Sequence, residues 1–280
     1  MMRGITSRAR WRTQAAGLRI CVNCVCFLCL FAVFLAADAG ASGPSLDVVL
    51  DRTAQHAAHF VRQLPDVKCT ERVVQAKLGK SEKTEYQEES TFDFLLMPQV
   101  RNGEIAVEES RLALVEPQHR KNLPLLVTNG FSTLMLIFHP IYRASFEFEP
   151  WPDERLEGRL VTRVHFRHVR GKRTPSALIL RGREYPLRLE GDAWIDPESG
   201  AILQLSVGLL ASIEDVGLRA FHADVSYRPM SFSAAPQPYW LPVTATIEVE
   251  TPRQRWRNVH SFTDYKLFSV SSSSTIQSHP

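Results

Sequence analysis

Strict alternation of apolar and polar residues, which begins after Pro65, constrains the fold of this chain most. Apolar side chains occupy every second position in segments 91–96, 145–149, 221–227 and 243–250, and in 159–167 Leu160, Val164 and Phe166 alternate with charged residues and histidine. Successive side chains of a β-strand point to opposite faces, so this period of two is typical of antiparallel strands with one buried face. The sequence therefore predicts a mainly β domain.

Turn signals separate several of these segments. Arg101-Asn102-Gly103-Glu104 predicts a β-hairpin, because Asn-Gly adopts the positive φ angles that two-residue hairpins need. Asp196-Pro197-Glu198-Ser199-Gly200 separates two short apolar segments and predicts a type I turn closed by glycine. Both signals support consecutive antiparallel strands.

Two segments depart from the β pattern. Apolar residues recur at helical spacing from Leu46 to Leu64, after a break at Gly43-Pro44-Ser45 and before Pro65, which predicts an amphipathic helix. The segment Asn129–Phe138 is apolar nearly all round, which predicts a buried helix that His139-Pro140 ends. We expect one long, strongly curved antiparallel sheet with both helices on its concave side.

The first 41 residues predict export. Arg3, Arg8, Arg10 and Arg12 give a basic start, a nearly continuous apolar run covers 20–37, and small residues follow at 37–41, as in a secretory signal peptide. An uncleaved anchor through residues 20–37 is the alternative, since spanning a bilayer takes roughly 20 residues. The predicted organisation is a signal segment 1–41, a folded domain 42–270 and a disordered tail 271–280. The predicted location is periplasmic or secreted, or the inner membrane if the segment is an anchor.

Cysteine content and charge change once the signal segment is set aside. Four of the five cysteines lie within the apolar run, which leaves Cys69 alone and predicts buried packing rather than a disulfide or a metal site. Residues 1–41 hold five arginines and one aspartate, so the 33 basic and 30 acidic residues of the whole chain become 28 and 29. A nucleic-acid partner is not expected, because it would need a strong positive excess on one face.

Three motifs in the last third of the chain resemble those of a known family. They are the strand-turn-strand Trp194–Leu203, the segment Tyr239-Trp240-Leu241-Pro242, and the closing strand Phe262–Leu267. These motifs are similar to those of the LolA and LolB lipoprotein carriers and their RseB-like relatives, and the order of elements fits that superfamily over the rest of the chain. The resemblance implies an open half-barrel, and carriers of this family hold acyl chains in its apolar concave face.

Seven apolar residues are candidates to line such a cavity. They are Phe131, Leu134 and Phe138 on the predicted second helix, and Phe92, Phe94, Phe146 and Phe148 on predicted strands. The alternative is that these side chains form ordinary core, since sheets and helices must bury an apolar face.

Polar residues give little support for catalysis or metal binding. His56 and His59 share a helix face but lack a third ligand nearby, and zinc sites need three or four. His222 with Asp224, and His260 with Asp264 in a regular strand, form histidine–carboxylate pairs of a kind that is common on a polar sheet face. The chain has no standard nucleophile, nucleotide or zinc motif. We expect no catalytic residues, no metal and no cofactor.

Three hypotheses for function remain open from the sequence. The first is a non-catalytic, exported bacterial envelope protein that binds a lipid or the acylated end of a lipoprotein. The second is an envelope sensor or interaction module of the same fold with a protein partner. The third is a hydrolase, which a clustered Ser–His–Asp geometry would favour.

Overall fold

The computed structural model describes residues 43–101, 104–115, 130–180, 182–233 and 237–268. The predicted signal segment 1–41 and the predicted tail 271–280 lie outside these ranges. Within them, no helix combines the length and the apolar character that crossing a membrane requires.

One large antiparallel sheet dominates the molecule. Its strands follow the order β3-β2-β1-β13-β12-β11-β10-β9-β6-β4, β5 pairs with β6, and β7 and β8 form a separate hairpin. The sheet does not close, so β3 and β4 are its edges, and the predicted open half-barrel is confirmed. The strands are Val67–Leu78 (β1), Thr84–Arg101 (β2), Glu104–Val115 (β3), Phe146–Pro150 (β4), Glu154–Leu156 (β5), Arg159–His168 (β6), Ala177–Leu180 (β7), Arg183–Pro186 (β8), Leu189–Ile195 (β9), Ile202–Leu209 (β10), Ala220–Met230 (β11), Tyr239–Glu250 (β12) and Arg255–Leu267 (β13).

The N-terminal helix, α1, spans Leu46–Gln63 as its apolar spacing predicts. Asp47 lies in the first turn, where a negative charge favours the helix dipole, and Leu64 ends the helix in an extended conformation before Pro65. The buried face is wide and includes one polar side chain, Thr53, whose hydroxyl donates to the carbonyl oxygen of Val49 at 2.9 Å. The one buried polar side chain of this face is therefore hydrogen-bonded within the helix itself.

The predicted turn at 196–200 is confirmed, and it packs closely against the backbone of α1. The Asp196 carboxylate accepts hydrogen bonds from the backbone N–H groups of Glu198 (3.0 Å) and Ser199 (2.9 Å). Gly200 has a φ of 72°, and a Cβ atom there would lie 2.4 Å from the carbonyl carbon of Arg52 on α1. Only glycine permits this close approach of helix and turn.

The second predicted helix has a different geometry. Leu134–Phe138 is a 3₁₀ helix with all five side chains buried, and a short helix, α2, follows over Pro140–Arg143. Pro140 therefore begins a helix rather than only ending one. The reason is local: proline suits the first helical position, and the His139 ring nitrogen Nδ1 caps α2 by accepting from the Ile141 backbone N–H at 3.2 Å.

Both helical segments pack on the same face of the sheet. Side chains of α1, of the 3₁₀ helix and of alternate positions along the strands belong to one apolar cluster; examples are Phe60, Phe138, Leu205 and Ile247, each at most 2 % exposed. We call this the inner face. The predicted hairpin between β2 and β3 is also confirmed, because Arg101 pairs with Glu104.

Candidate functional site

A cleft of about 340 Å³ opens on the inner face beside the edge strand β3. We call it the hairpin cleft, because residues on and around the β7–β8 hairpin form one of its walls. Residues of β3 and of segment 130–134 also line it, with β9 and β11 contributing. Its principal apolar lining residues are Val107, Phe131, Leu134, Leu187, Phe221 and Ala223.

The register of β3 determines which of its side chains enter the hairpin cleft. Arg111 pairs with Phe94 of β2, and both are on the inner face, whereas Leu112 is 64 % exposed. Because strand side chains alternate, Val107 and Glu109 also point inward and Glu108 outward. The two neighbouring glutamates 108 and 109 therefore have separate environments, as their adjacency in a strand predicts.

Glu109 fixes the segment that carries Phe131 and Leu134. One carboxylate oxygen accepts from the Gly130 backbone N–H at 2.6 Å and the other accepts from the Ser132 backbone N–H at 3.1 Å. Burial raises the pKa of Glu109 above its ordinary value, although these two hydrogen bonds oppose the change. The Glu109 side chain thus connects segment 130–134, which lines the cleft, to the edge strand β3.

A cluster of three polar side chains, Glu71, Arg111 and His260, lies next to Phe131. Glu71, which is fully buried, accepts from Arg111 through both carboxylate oxygens, and its Oε1 lies 2.8 Å from His260 Nδ1. Burial opposes ionisation of Glu71, but hydrogen bonds from Arg111 and His260 outweigh it and lower its pKa. Burial lowers the pKa of His260, whose ring lies 4.8 Å from that of Phe131.

Phe131 is also anchored through its backbone. The hydroxyl of Tyr227, on β11, donates to the Phe131 carbonyl oxygen at 2.6 Å, and both residues are buried. Burial raises the pKa of Tyr227, so it remains a neutral donor. Hydrogen bonds to Glu109 of β3 and from Tyr227 of β11 therefore hold the same short segment at the cleft wall.

A second cleft, of about 640 Å³, lies between α1, α2 and β4, and we call it the helix cleft. Its apolar lining includes Leu46, Leu50, Ala54, Phe146 and Phe148. Charged residues also line it, and Arg143 of α2 forms an ion pair with Asp51 of α1. The Asp51 side chain is 61 % exposed, so this pair is well solvated.

The structure distributes the seven predicted cavity residues over several environments. Phe131 and Leu134 line the hairpin cleft, and Phe146 and Phe148 line the helix cleft. Phe138 and Phe94 are core residues at 1 % exposure. Phe92 is half-buried on the inner face opposite Glu71. With no ligand present, the role of all seven in binding stays a prediction.

Several lining residues are absent from the sequence-based candidates. Glu109, Ser176, Glu184, Leu187 and Phe221 all line the hairpin cleft. The inward direction of Glu109 has a signal in the alternation of β3, but choosing between 108 and 109 requires the pairing of β3 with β2. The contribution of the β7–β8 hairpin has no signal in the sequence.

The predicted histidine–carboxylate pairs differ in their partners. His222 lies 3.2 Å from Asp224 and 3.4 Å from the Ser206 hydroxyl, but both contacts involve the same ring nitrogen, Nε2. A catalytic triad needs serine and aspartate on different ring nitrogens, so this exposed group lacks triad geometry. His260 pairs with Glu71 rather than Asp264, because a register shift in β13 interrupts the regular alternation.

Two other predictions concern metal ligands and Cys69. Across the described residues, no group of three or more His, Cys, Asp or Glu side chains could hold a metal ion. His56 is half-buried on α1, and burial together with His59 lowers its pKa to about 4. Cys69 is buried and free, and burial raises its pKa to about 12, as expected for a packing residue.

Comparisons with known proteins find similarity only at the level of structure. No family model matches the chain, and no curated protein matches it. A LolA superfamily protein from Nitrosomonas europaea matches with 9% identity and a TM-score of 0.37, covering 79% of this chain and 94% of that one. A putative outer membrane lipoprotein-sorting protein domain from Vibrio parahaemolyticus matches with 11% identity and a TM-score of 0.39, covering 80% and 93%.

A DUF1329 family protein from Desulfovibrio piger matches with 9% identity and a TM-score of 0.42, covering 82% of this chain and 96% of that one. Identities this low concern the fold alone, and no residue role is transferred from these proteins. The three matches cover most of this chain and of each matched chain, with TM-scores below 0.5.

Proposed function

We propose that this protein is an exported, non-catalytic binding protein that takes one acyl chain of a lipid or an acylated lipoprotein into the hairpin cleft. The observation that supports this function best is the cleft itself, an apolar recess on the inner face between β3, segment 130–134 and the β7–β8 hairpin. Export is supported by the apolar segment 20–37 and the small residues that follow it.

The size and lining of the hairpin cleft suit a slender apolar ligand. Small-molecule sites range upward from about 300 Å³, and the volume of about 340 Å³ is at the lower end of that range. Each methylene that leaves water contributes about 0.8 kcal/mol. A single saturated chain gains affinity from each carbon it buries.

The proposed site is also ordered before the ligand arrives. Glu109 and Tyr227 hold the 130–134 segment by three hydrogen bonds, two from backbone N–H groups and one to a carbonyl oxygen. A preformed cleft does not lose further chain entropy on binding, which preserves the small gain available from a short acyl chain.

Matched alanine-to-tryptophan variants test the location of binding. Ala177 lines the hairpin cleft, Ala144 lines the helix cleft and Ala211 lines neither, and all three residues are exposed. Tryptophan at each position therefore adds the same bulk without disturbing buried packing. The ligand is decanol, a neutral single-chain probe, and its affinity is measured by isothermal titration calorimetry.

We expect wild-type protein to bind decanol and Ala177→Trp to bind it at least tenfold more weakly, because the indole fills the cleft. Ala144→Trp and Ala211→Trp should keep the wild-type affinity. The proposal is overturned if wild-type protein does not bind decanol. It is also overturned if Ala144→Trp, rather than Ala177→Trp, abolishes binding.

A further inference from the structure

The charged residues that line the hairpin cleft are both acidic. Glu109 reaches in from β3 and Glu184 from β8, and the described lining residues include no lysine, arginine or histidine. The two glutamates come from separate elements, β3 and β8. The polar part of a ligand in this cleft therefore meets two carboxyl groups and no basic side chain among the described lining residues.

Glu109 keeps hydrogen-bonding capacity toward a ligand. Each of its oxygens accepts one backbone N–H, from Gly130 and Ser132, and a carboxylate has about four acceptor positions. Arg111 and Glu71 also face Glu109, but Arg111 binds Glu71 through two nitrogens, so the two charges largely offset each other. Toward a ligand, Glu109 therefore offers mainly hydrogen-bond acceptor positions.

A hydroxyl also belongs to the lining of the cleft. Ser176 lines the hairpin cleft beside the β7–β8 hairpin, and its Oγ is buried without a hydrogen-bond partner among the described residues. Buried polar atoms are nearly always bonded, so this hydroxyl is available to hydrogen-bond a polar group that enters the cleft. Ser176 can accept a hydrogen bond as well as donate one.

Building on the proposed function, we infer that the ligand of the hairpin cleft is a single-chain amphiphile with an uncharged or cationic head that donates hydrogen bonds. An amine, a hydroxyl or an amide N–H meets this requirement. A free fatty-acid carboxylate or a phosphate ester does not, because its negative charge is unfavourable beside the exposed Glu184 carboxylate and it brings no hydrogen-bond donor to the oxygens of the lining.

Three decyl probes distinguish the effect of the head group on affinity from the effect of the chain. Decylammonium, decanol and decanoate have the same chain and are compared at neutral pH by calorimetry with wild-type protein, below the concentrations at which they form micelles. We expect decylammonium and decanol to bind at least tenfold more tightly than decanoate. Equal affinities for all three probes would refute the head-group inference and leave the proposed function intact, whereas absence of decanol binding would refute the proposed function.

A charge reversal at Glu184 tests the cause of the preference. Glu184 is exposed at the cleft margin, so Glu184→Lys should fold normally, and it should bring the affinity for decanoate to within a few-fold of that for decanol. Glu198→Lys makes the same change of charge on the exposed 196–200 turn, outside both clefts, and should keep the wild-type preference. If both variants shift the preference equally, net charge rather than the cleft is responsible, and the inference fails.

Discussion

The hairpin cleft and the helix cleft differ in how their charged groups are held. In the hairpin cleft the Glu109 carboxylate is fixed by two backbone N–H groups, next to a largely buried cluster of Glu71, Arg111 and His260. In the helix cleft Asp51 and Arg143 pair with each other at a solvated margin. The helix cleft has nearly twice the volume, about 640 Å³ against about 340 Å³.

This difference argues that volume alone does not identify a binding site. Affinity depends on how much of a ligand is removed from water and on how little the protein must be ordered to do so. The smaller cleft has fixed walls and fixed polar groups, whereas long solvated side chains at the larger one lose entropy if a ligand orders them. Four predictions test this contrast.

The largest effect is expected on removing the charge beneath the hairpin cleft. Glu71→Ala leaves Arg111 and His260 without their carboxylate partner, and breaking a buried ion pair costs about 3–5 kcal/mol. We expect a lower free energy of unfolding by that amount in chemical denaturation. Glu89→Ala, which breaks the exposed Arg72–Glu89 pair on neighbouring strands, is the control and should change stability little. Equal losses in both variants would contradict the distinction between the two pairs.

The second prediction compares the two cleft walls directly. Leu134→Glu places a carboxylate in the apolar wall of the hairpin cleft, where desolvation is costly, and should weaken decanol binding at least tenfold. Leu46→Glu makes the same change in the helix cleft, where Leu46 is only half-buried, and should leave the affinity unchanged. Circular dichroism establishes that each variant is folded. Complete unfolding of Leu134→Glu would assign Leu134 to the core, as the alternative from sequence holds.

The third prediction concerns pH. Because burial raises the pKa of Glu109, the native state holds this proton at pH values where the unfolded chain has lost it. Stability due to this group is therefore complete below about 4.5, the ordinary value, and falls as pH rises through the raised pKa. Glu71 acts in the opposite direction, since its lowered pKa gives stability that is lost as pH falls below the ordinary value.

Denaturation of wild-type protein and Glu109→Gln across this pH range isolates the Glu109 contribution. The variant should be less stable at acidic pH, because its amide nitrogen cannot accept one of the two backbone hydrogen bonds, but its stability should decline less as pH rises above 4.5. Parallel curves for the two proteins would show that Glu109 does not titrate in this range.

The smallest effect is expected at the margin of the helix cleft. Arg143→Ala removes the ion pair with Asp51, and solvated pairs of this kind contribute at most about 1 kcal/mol. Decanol affinity should be unchanged, as measured by calorimetry. A clear loss of affinity in Arg143→Ala would show that the helix cleft takes part in binding and would remove the contrast between the two clefts.

The sequence alone determined the kind of structure that forms. Period-two alternation fixed the strands, helical spacing before Pro65 fixed α1, and the segment 196–200 fixed a tight turn. These features depend on backbone preferences and on which faces of an element are apolar, and both are properties of a few consecutive residues. They were readable without knowledge of the tertiary contacts.

Tertiary structure alone decided where the clefts lie and what lines them. Glu71 and His260 are 189 positions apart and meet only because β1 pairs with β13, and Glu109 faces inward only through the pairing of β3 with β2. The apolar segment before His139 becomes a 3₁₀ helix instead of a regular α-helix as it packs on the inner face. Strand register and packing are set by contacts between distant residues, whereas periodicity reports only which side of each element is apolar.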